Sequence, residues 1–368
     1  MAHRFGVDTS ADARWLALTA AVCSGARWLE AVLQRFPSPD AVLECPSDEA
    51  RSCGMQSLQR DIARATVPKS LERLLHQAPL RVVTVGDPEY PPLLLECQDR
   101  PPFLFVHGDM SVLQADTLSI VGTRKPSLDG GRAAAEFAGA ASRAGYVVVS
   151  GLALGIDGLA HQATIAAEGQ TIAILPSGID NIYPARHRSL ADQIRQAGAL
   201  VSEFPVGTPP RKHHFHRRNR TLSGFSAATL VIEAGRPSGT LLTASAAADQ
   251  GRDVLALPWS VYHPEGSGCR YLLDDGAILM TSVAAFYDYL GARAPDSPGS
   301  DPLLAEWPDI VLDADQRAIL TLMGERPVQP ELLATRLGWA LDRCCGCLAS
   351  LEILGRVKKT FTGYQACR

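Results

Sequence analysis

The central part of the chain, residues 80–290, alternates short apolar runs with stretches of helical periodicity. Continuous apolar runs are typical of strands that are buried on both faces of a sheet. The stretches between them, such as Gly131–Ala144 and Ala160–Glu168, are predicted helices. Alternation of this kind predicts an α/β fold with a parallel sheet that is covered on both faces. The predicted strands are Thr117–Val121, Tyr146–Ser150, Thr171–Leu175, Ala199–Ser202, Thr229–Glu233, Asp253–Leu257 and Ala277–Met280.

Segments with a different pattern flank this core. Residues 10–66 have apolar positions at helical spacing, interrupted by short turns, and predict a small helical domain. Residues 292–308 are rich in Pro, Asp and Ser, which is a linker composition. Residues 313–368 predict three helices and a hairpin, the layout of a winged-helix-like domain. These last elements are Gln316–Met323, Pro330–Leu337, Asp342–Leu354, Val357–Thr360 and Gly363–Ala366.

The amino-acid composition excludes a mainly disordered chain and a protein that is basic overall. Of the 368 residues, 46% are apolar and 20% are charged, which indicates a folded protein rather than a disordered one. The net charge of −4 means that any binding to nucleic acid depends on a local basic patch. The nine cysteines are scattered and indicate reduced thiols. We expect a cytoplasmic protein without a membrane partner, because the chain shows no signal-peptide layout and no apolar run of membrane-spanning length.

Residues 211–220 form the densest candidate site. They contain five Lys or Arg residues, three His, one Phe and no acidic residue. A solvated surface is the usual explanation of such a run, but an embedded aromatic and an Asn favour binding of nucleic acid or another polyanion. Cationic groups follow a phosphate backbone while an aromatic ring stacks on a base. The candidate residues are Lys212, Phe215, Arg217, Arg218, Asn219 and Arg220.

Short loops after the predicted strands supply the other candidates. Ligands of parallel sheets bind outside the carboxyl ends of the strands. Glycine permits close approach of a ligand to the backbone, and helix N-termini attract anions. The sequence has neither a Walker A lysine after Gly239 nor a dinucleotide-binding glycine loop after a strand, so we predict no cofactor. The candidate residues are Gly122, Thr123, Arg124, Lys125, Ser150, Gly151, Ser238, Gly239 and Thr240.

Three further groups invite a chemical interpretation. Asp157 and His161 are four residues apart on a predicted helix, but a helix-start acid with a structural His is favoured over an acid–base pair. Cys344 and Cys347 have metal-ligand spacing without a second pair of ligands, so buried thiols are the preferred interpretation. The histidines of residues 211–220 lie among five cations, which oppose a metal ion electrostatically. We therefore predict no metal site.

Residues 85–280 resemble the DNA-processing protein A family, DprA, also called Smf. The matching motifs stand in the family's order over more than half of the chain. They are Tyr90–Leu94, Pro101–Phe105, Gly122–Arg124, Ser150–Asp157, Gly178–Pro184, Ser202–Pro205, Arg217–Arg220, Ser238–Ala244 and Asp275–Ala277. The sequence departs from the family pattern at His216, Trp259 and Arg270.

The resemblance implies a non-catalytic protein that binds and protects single-stranded DNA during transformation and helps to load a RecA-type recombinase. It also implies an extended Rossmann-like core that forms a homodimer, an N-terminal domain of sterile-alpha-motif type and a C-terminal winged helix. By motif matching, Arg124 would contact the DNA backbone, and Lys212 and Phe215 would lie in the same groove, with Phe215 near a base. Arg217, Arg218 and Arg220 fall in the matching basic stretch.

Two other classes of function remain alternatives. The core also resembles the lysine-decarboxylase-like nucleotide hydrolases, but Thr243 stands where their catalytic Glu would be. A hydroxyl group cannot supply the carboxylate charge for glycosidic cleavage. The second alternative is duplex binding through residues 313–368. The predicted third helix there has Arg343 as its single cation, which favours an accessory role.

Overall fold

The computed structural model describes residues 3–6, 8–23, 35–36, 38–52, 54–66, 74, 78–292, 314–323, 328–353, 356–360 and 363–366. Residue contacts divide the chain into two compact units, Met1–Ser297 and Pro298–Arg368. Each unit has a hydrophobic core of its own.

A ten-stranded sheet organises the first unit, in the order β1-β2-β3-β7-β6-β5-β4-β8-β9-β10. The strands from β7 to β10 in this order are parallel, whereas β1, β2 and β3 join their edge antiparallel. The α/β prediction is confirmed. The strands are β1 (His3–Arg4), β2 (Leu80–Thr84), β3 (Phe103–Gly108), β4 (Thr117–Val121), β5 (Val147–Ser150), β6 (Thr171–Leu175), β7 (Gly198–Ser202), β8 (Ala228–Val231), β9 (Asp253–Ala256) and β10 (Ile278–Leu279).

Helices connect the parallel strands. Serine caps mark where several of them begin: Ser127 Oγ accepts a hydrogen bond from Gly130 N, and Ser238 Oγ accepts one from Thr240 N. The helices are α1 (Thr9–Cys23), α2 (Pro39–Glu44), α3 (Ser47–Ser52), α4 (Gln56–Ala63), α5 (Pro92–Leu95), α6 (Leu128–Arg143), α7 (Ile156–Ala166), α8 (Arg188–Ala197), α9 (Lys212–Gly224), α10 (Gly239–Asp249), α11 (Ser267–Asp274) and α12 (Val283–Tyr289).

Every strand predicted for the core is present, with small shifts at the ends. The antiparallel strands β2 and β3 were not predicted. Both are almost completely buried, and β3 pairs with β7 from Phe105 opposite Ser202 to Gly108 opposite Ala199. A continuous apolar run reads alike in either strand direction, so only pairing with β7 shows that β3 runs against the parallel sheet.

The described N-terminal helices share a core with the sheet. Trp15 and Leu18 of α1 belong to the same apolar cluster as Phe103 and Phe105 of β3. Apolar side chains on the opposite face of the sheet form a second cluster. The boundaries of a separate helical domain at residues 10–66, and its sterile-alpha-motif type, stay predictions.

In its described residues the second unit has three helices and a hairpin, the expected winged-helix layout. Its core joins Ile319, Leu333, Leu348 and Val357. The helices are α13 (Ala314–Leu322), α14 (Pro330–Leu337) and α15 (Leu341–Ile353), and the strands β11 (Val357–Thr360) and β12 (Gly363–Ala366) pair antiparallel.

Two buried histidines make the stability of the first unit depend on pH. Burial lowers the pKa of His161 to about 3, and the ring Nδ1 hydrogen-bonds to Thr171 Oγ1 at 2.7 Å. Burial also lowers the pKa of His107 to about 4. In the unfolded chain both histidines take up a proton as the pH falls below about 6.5, the ordinary pKa of histidine, whereas in the native chain they stay neutral down to a lower pH. The free energy of unfolding therefore falls as the pH falls through this window.

We expect His161→Gln to flatten this dependence, because Gln carries no proton in either state. Between pH 6 and pH 4, the slope of unfolding free energy should decrease by up to about 1.4 kcal/mol per pH unit. Urea unfolding of both proteins across the pH series measures this. Parallel curves for wild type and variant would contradict the assignment.

Candidate nucleic-acid interface

A groove of about 660 Å³ lies over the carboxyl ends of the parallel strands. We call it the carboxyl-edge groove. The loop after β4, the first turns of α7 and α10, and one side of α9 form its walls. Its lining residues are Val121, Gly122, Thr123, Arg124, Ala153, Asp157, Tyr183, Lys212, Phe215, His216, Arg218, Asn219, Leu222, Pro237, Ser238, Gly239, Thr240, Leu242 and Thr243.

Hydrogen bonds from backbone and side-chain groups hold the loops after β4 and β8 together. Thr123 N donates to Glu233 O at 2.7 Å, and Thr240 Oγ1 donates to Gly122 O at 3.0 Å. The buried Glu233 carboxylate also accepts a hydrogen bond from Ser127 N at 2.9 Å. These contacts bring Gly122, Thr123 and the start of α10 to one rim of the groove.

The basic run of residues 211–220 forms most of helix α9, which was not predicted as a helix. Because of the helical spacing, the two faces of α9 differ in burial. His214, Arg218 and Thr221 are buried, whereas Lys212 and His216 are exposed. The run is therefore not a uniform cationic surface. His214 stacks on Phe204 with ring centroids 4.2 Å apart, and burial lowers the pKa of His214.

Arg218 is a buried arginine at the floor of the groove. Its Nη1 donates to Gly151 O and, at 3.1 Å, to Ile174 O. The Asp157 carboxylate lies close to this guanidinium, since a side chain added at Gly151 would overlap both groups. Burial raises the pKa of Asp157, and Arg218 opposes that rise. Burial likewise lowers the pKa of Arg218 while Asp157 raises it, so each group helps to keep the other charged.

Two further arginines of α9 form ion pairs with acidic residues of the same chain. Arg217 Nη2 lies 2.8 Å from Glu203 Oε2, and burial raises the pKa of Glu203 against the attraction of Arg217. Arg220 pairs with Asp99, and its Nη1 lies 3.6 Å from Asp249 Oδ2. Neither arginine lines the carboxyl-edge groove. Their charges are largely balanced by acids of the same molecule.

Phe215 is the aromatic centre of the groove. Arg124 lies over the ring at 5.6 Å from its centroid and Arg218 at 5.9 Å, both within the range of cation–π attraction. Tyr183 meets Phe215 edge to face with centroids 5.7 Å apart, and 42% of the Tyr183 surface is exposed. Tyr183 was not predicted as a site residue. The signal for it is its place in the loop after β6, at the same sheet edge as the other candidates.

Two family models match this chain. The family model of DNA recombination-mediator protein A matches residues 81–291, and the model of the DprA winged helix domain matches residues 297–360. The chain belongs to the DNA recombination-mediator protein A family. Its C-terminal domain is a winged helix, as predicted.

Individual relatives cover most of this chain. It is 37% identical to protein Smf of Escherichia coli over 283 residues, which are 76% of this chain and 75% of that protein. It is 35% identical to DNA processing protein DprA of Bacillus subtilis over 260 residues, which are 67% of this chain and 88% of that protein.

Solved structures of the family also resemble it. DprA from Streptococcus pneumoniae has 30% identity and a TM-score of 0.60, covering 73% of this chain and 95% of that chain. DNA processing protein A from Helicobacter pylori, reported for its single-stranded DNA binding mode, has 27% identity and a TM-score of 0.52. That match covers 57% of this chain and 95% of the Helicobacter chain.

The remaining predicted residues take different places in this family member. Asn219, Ser238, Gly239 and Thr240 line the carboxyl-edge groove, whereas Lys125 is exposed outside the lining. Ser150 is buried and donates to Ile120 O at 2.7 Å, which is a structural role. Gly151 borders a small cavity of about 40 Å³ beside Phe215.

The described residues show neither a membrane-spanning helix nor a metal cluster. No helix there combines the length and the apolar character needed to cross a bilayer. No cluster of three His, Cys, Asp or Glu side chains there is arranged as a metal site.

The environments of the arginines of α9 predict unequal effects on stability. We expect Arg218→Met to lower the free energy of unfolding by about 3–5 kcal/mol, because it leaves Asp157 and two carbonyl groups buried without their partner. The matched variant Arg220→Met removes a half-exposed ion pair and should cost at most about 1 kcal/mol. Urea unfolding measures both. Equal losses would contradict the buried placement of Arg218.

Proposed function

We propose that this chain binds single-stranded DNA in the carboxyl-edge groove. The observation that carries the proposal is the partly exposed ring of Phe215 beside the exposed cations Arg124 and Lys212. Aromatic rings that stack on bases, next to cations that follow the phosphates, are the recurring parts of single-strand binding sites. The single-stranded DNA binding mode reported for the Helicobacter pylori relative supports this assignment.

The electrostatics of the groove favour an anionic ligand despite the negative charge of the whole chain. Arg124, Lys212 and Arg218 line it, against Asp157 as the one carboxylate among the lining residues. Neither Arg124 nor Lys212 has an ion-pair partner in the described part of the chain. Arg218 Nε also has no hydrogen-bond partner among the described residues. The exposed side chains of Arg124 and Lys212 remain available to phosphate oxygens, whereas Arg218 Nε is buried.

Preference for single strands follows from the same chemistry. A single strand exposes the faces of its bases, whereas a duplex hides them in the stack, so Phe215 can stack only on the former. Backbone phosphates would lie across the strand ends on Arg124, Lys125 and Lys212, with bases towards Phe215. No sequence preference is expected from such contacts.

The place of this binding in the cell is proposed from the family. We propose that the protein protects incoming single strands during transformation and passes them to a RecA-type recombinase. We also propose a cytoplasmic homodimer that forms through the core. Strand β10 supports the dimer, because Ile278 and Leu279 at that edge of the sheet expose 38% and 48% of their surfaces. An exposed apolar edge strand is a template for pairing with a second chain.

Binding without catalysis is preferred over nucleotide hydrolysis. Thr243 does line the groove, so the position of the hydrolase glutamate faces the ligand, but it carries a hydroxyl group. Asp157 is buried beside Arg218, and no second carboxylate lines the groove. Glycosidic cleavage by acid and base needs a pair of such groups.

The winged helix is proposed as an accessory domain. Arg343 of α15 forms a bidentate ion pair with Asp315, with Nη2 2.8 Å from Oδ1 and Nε 2.9 Å from Oδ2. Its guanidinium also lies 4.5 Å from the Trp339 ring centroid. A cation that is engaged in this way is poorly placed to read base edges in a duplex groove.

The test is the fluorescence anisotropy of a labelled oligothymidine across a salt series, with unlabelled duplex as competitor. The log–log slope of affinity against salt should be about −0.7 per neutralised phosphate. We expect Arg124→Gln to weaken binding and to make the slope shallower by about 0.7. Arg220→Gln is the matched control, because Arg220 is already paired with Asp99. A zero slope for wild type would refute the proposal.

Substitutions of Arg217 and Arg218 would be poor tests of binding, because their side chains hold Glu203 and Gly151 inside the protein. Phe215 is a better target. We expect Phe215→Leu to reduce affinity about tenfold, because it retains an apolar side chain but loses the stacking contribution of about 1–3 kcal/mol. Titration with the same oligothymidine measures this loss. Unchanged affinity in a folded variant would remove the stacking role.

A further inference from the structure

The loop after β9, residues 258–266, carries two unusually exposed apolar side chains. Val261 exposes 71% of its surface and Tyr262 exposes 91%, the two largest values for big apolar residues in the described parts of the chain. Neither takes part in the core. The exposure of an aromatic ring to this extent needs a reason beyond packing.

The loop is held firmly in spite of its exposed tip. Trp259 Nε1 donates to Ile232 O at 2.7 Å, and its ring stacks on His263 with centroids 4.5 Å apart. His263 hydrogen-bonds to the buried Glu233 at 2.5 Å. Arg270 Nη1 donates to Ser260 O at 2.6 Å. Tyr262 is therefore presented on a braced loop.

These braces tie the loop to the segment that forms one rim of the carboxyl-edge groove. Ile232 and Glu233 directly follow β8, and five residues later Pro237 and Ser238 line the groove. Strands β8 and β9 are parallel neighbours, paired at Val231 and Ala256. Adjacent strands lie about 4.8 Å apart, so the loop after β9 stands next to the groove rim.

A cation and a second aromatic ring lie on the segments next to the contacts of this loop, because Arg236 follows Gly235, which lies against Glu265, and Tyr271 follows Arg270, which donates to Ser260 O. Arg236 is exposed, and its guanidinium lies 4.1 Å from the ring centroid of Tyr271, which is itself 37% exposed. We call Arg236, Val261, Tyr262 and Tyr271 the β9 shoulder. It repeats the chemistry of the groove, where Arg124 lies over Phe215.

We infer that the β9 shoulder binds the continuation of the single strand where it leaves the carboxyl-edge groove, with Arg236 at a phosphate and Tyr262 stacked on a base. This inference rests on the proposed function and lengthens its site. Glu265, on the loop after β9, lies against Gly235, the residue before Arg236. Because this carboxylate disfavours further phosphates, we assign one phosphate contact here and attribute the rest of the attraction to stacking.

A single strand fits the β9 shoulder better than a protein partner does. Stable protein interfaces need an apolar patch of several hundred Å², whereas the β9 shoulder has three exposed apolar or aromatic side chains beside a cation. An aromatic ring and an exposed guanidinium can bind the base and the phosphate of one nucleotide. The strand would reach them from the adjoining carboxyl-edge groove.

The test compares a short oligothymidine of about 5 nucleotides with one of about 16, using wild type, Tyr262→Phe and Tyr262→Leu. Tyr262 is almost fully exposed, so neither change threatens the fold. We expect Tyr262→Leu to bind the long strand about tenfold more weakly and the short strand as wild type does. Tyr262→Phe should retain wild-type affinity for both, because it keeps the ring.

A parallel pair tests the charge. Arg236→Gln should weaken binding of the long strand and make its salt slope shallower by about 0.7, whereas the exposed Arg60→Gln on α4 should not.

Wild-type affinity of Tyr262→Leu for the long strand would overturn the inference while leaving the proposed function intact. A changed sedimentation coefficient of Tyr262→Leu with unchanged DNA binding would also overturn it, in favour of a contact between copies. Failure of wild type to bind either strand would overturn both.

Discussion

The buried guanidinium of Arg218 joins four elements of the carboxyl edge. It donates to carbonyl groups that follow β5 and lie in β6, it lies beside Asp157 at the start of α7, and it belongs to α9. A buried charge is tolerated only when it is paired and hydrogen-bonded, so these elements must keep their relative positions. The floor of the groove is rigid for this reason. Phe215 and Arg124 rest on that floor.

The distribution of charge follows from the same constraint. The chain is acidic overall, yet cations outnumber carboxylates among the residues that line its groove. Outside the groove, acids neutralise other arginines of the basic run. Glu203 engages Arg217 and Asp99 engages Arg220, while Arg124 and Lys212 remain directed to solvent. The positive charge of the groove therefore depends on which cations are left unpaired, rather than on how many the basic run contains.

The loops at the carboxyl edge form a connected series. Glu233 binds the loop after β4 through Ser127 and the loop after β9 through His263. Gly155 at the start of α7 has φ 80°, and a side chain there would overlap the carbonyl group of Thr123. A glycine is needed at this close approach. The groove and the β9 shoulder are thus parts of one braced surface, which explains how an exposed Tyr262 is kept in a defined position.

The sequence by itself determined the α/β core, the parallel strands and the winged helix, because apolar runs and helical periodicity are local properties of the chain. The family resemblance placed Arg124, Lys212 and Phe215 in one groove, and in the structure all three line the carboxyl-edge groove, where strand-end loops of the parallel sheet meet. Only the tertiary structure decided which residues of the basic run face outward. Burial of Arg218, pairing of Arg217 with Glu203, and the approach of Tyr183 to Phe215 all join residues that are distant in sequence. Strands β2 and β3 were not predicted, and the antiparallel direction of β3 is likewise set by its pairing with β7, a contact between separate segments of the chain.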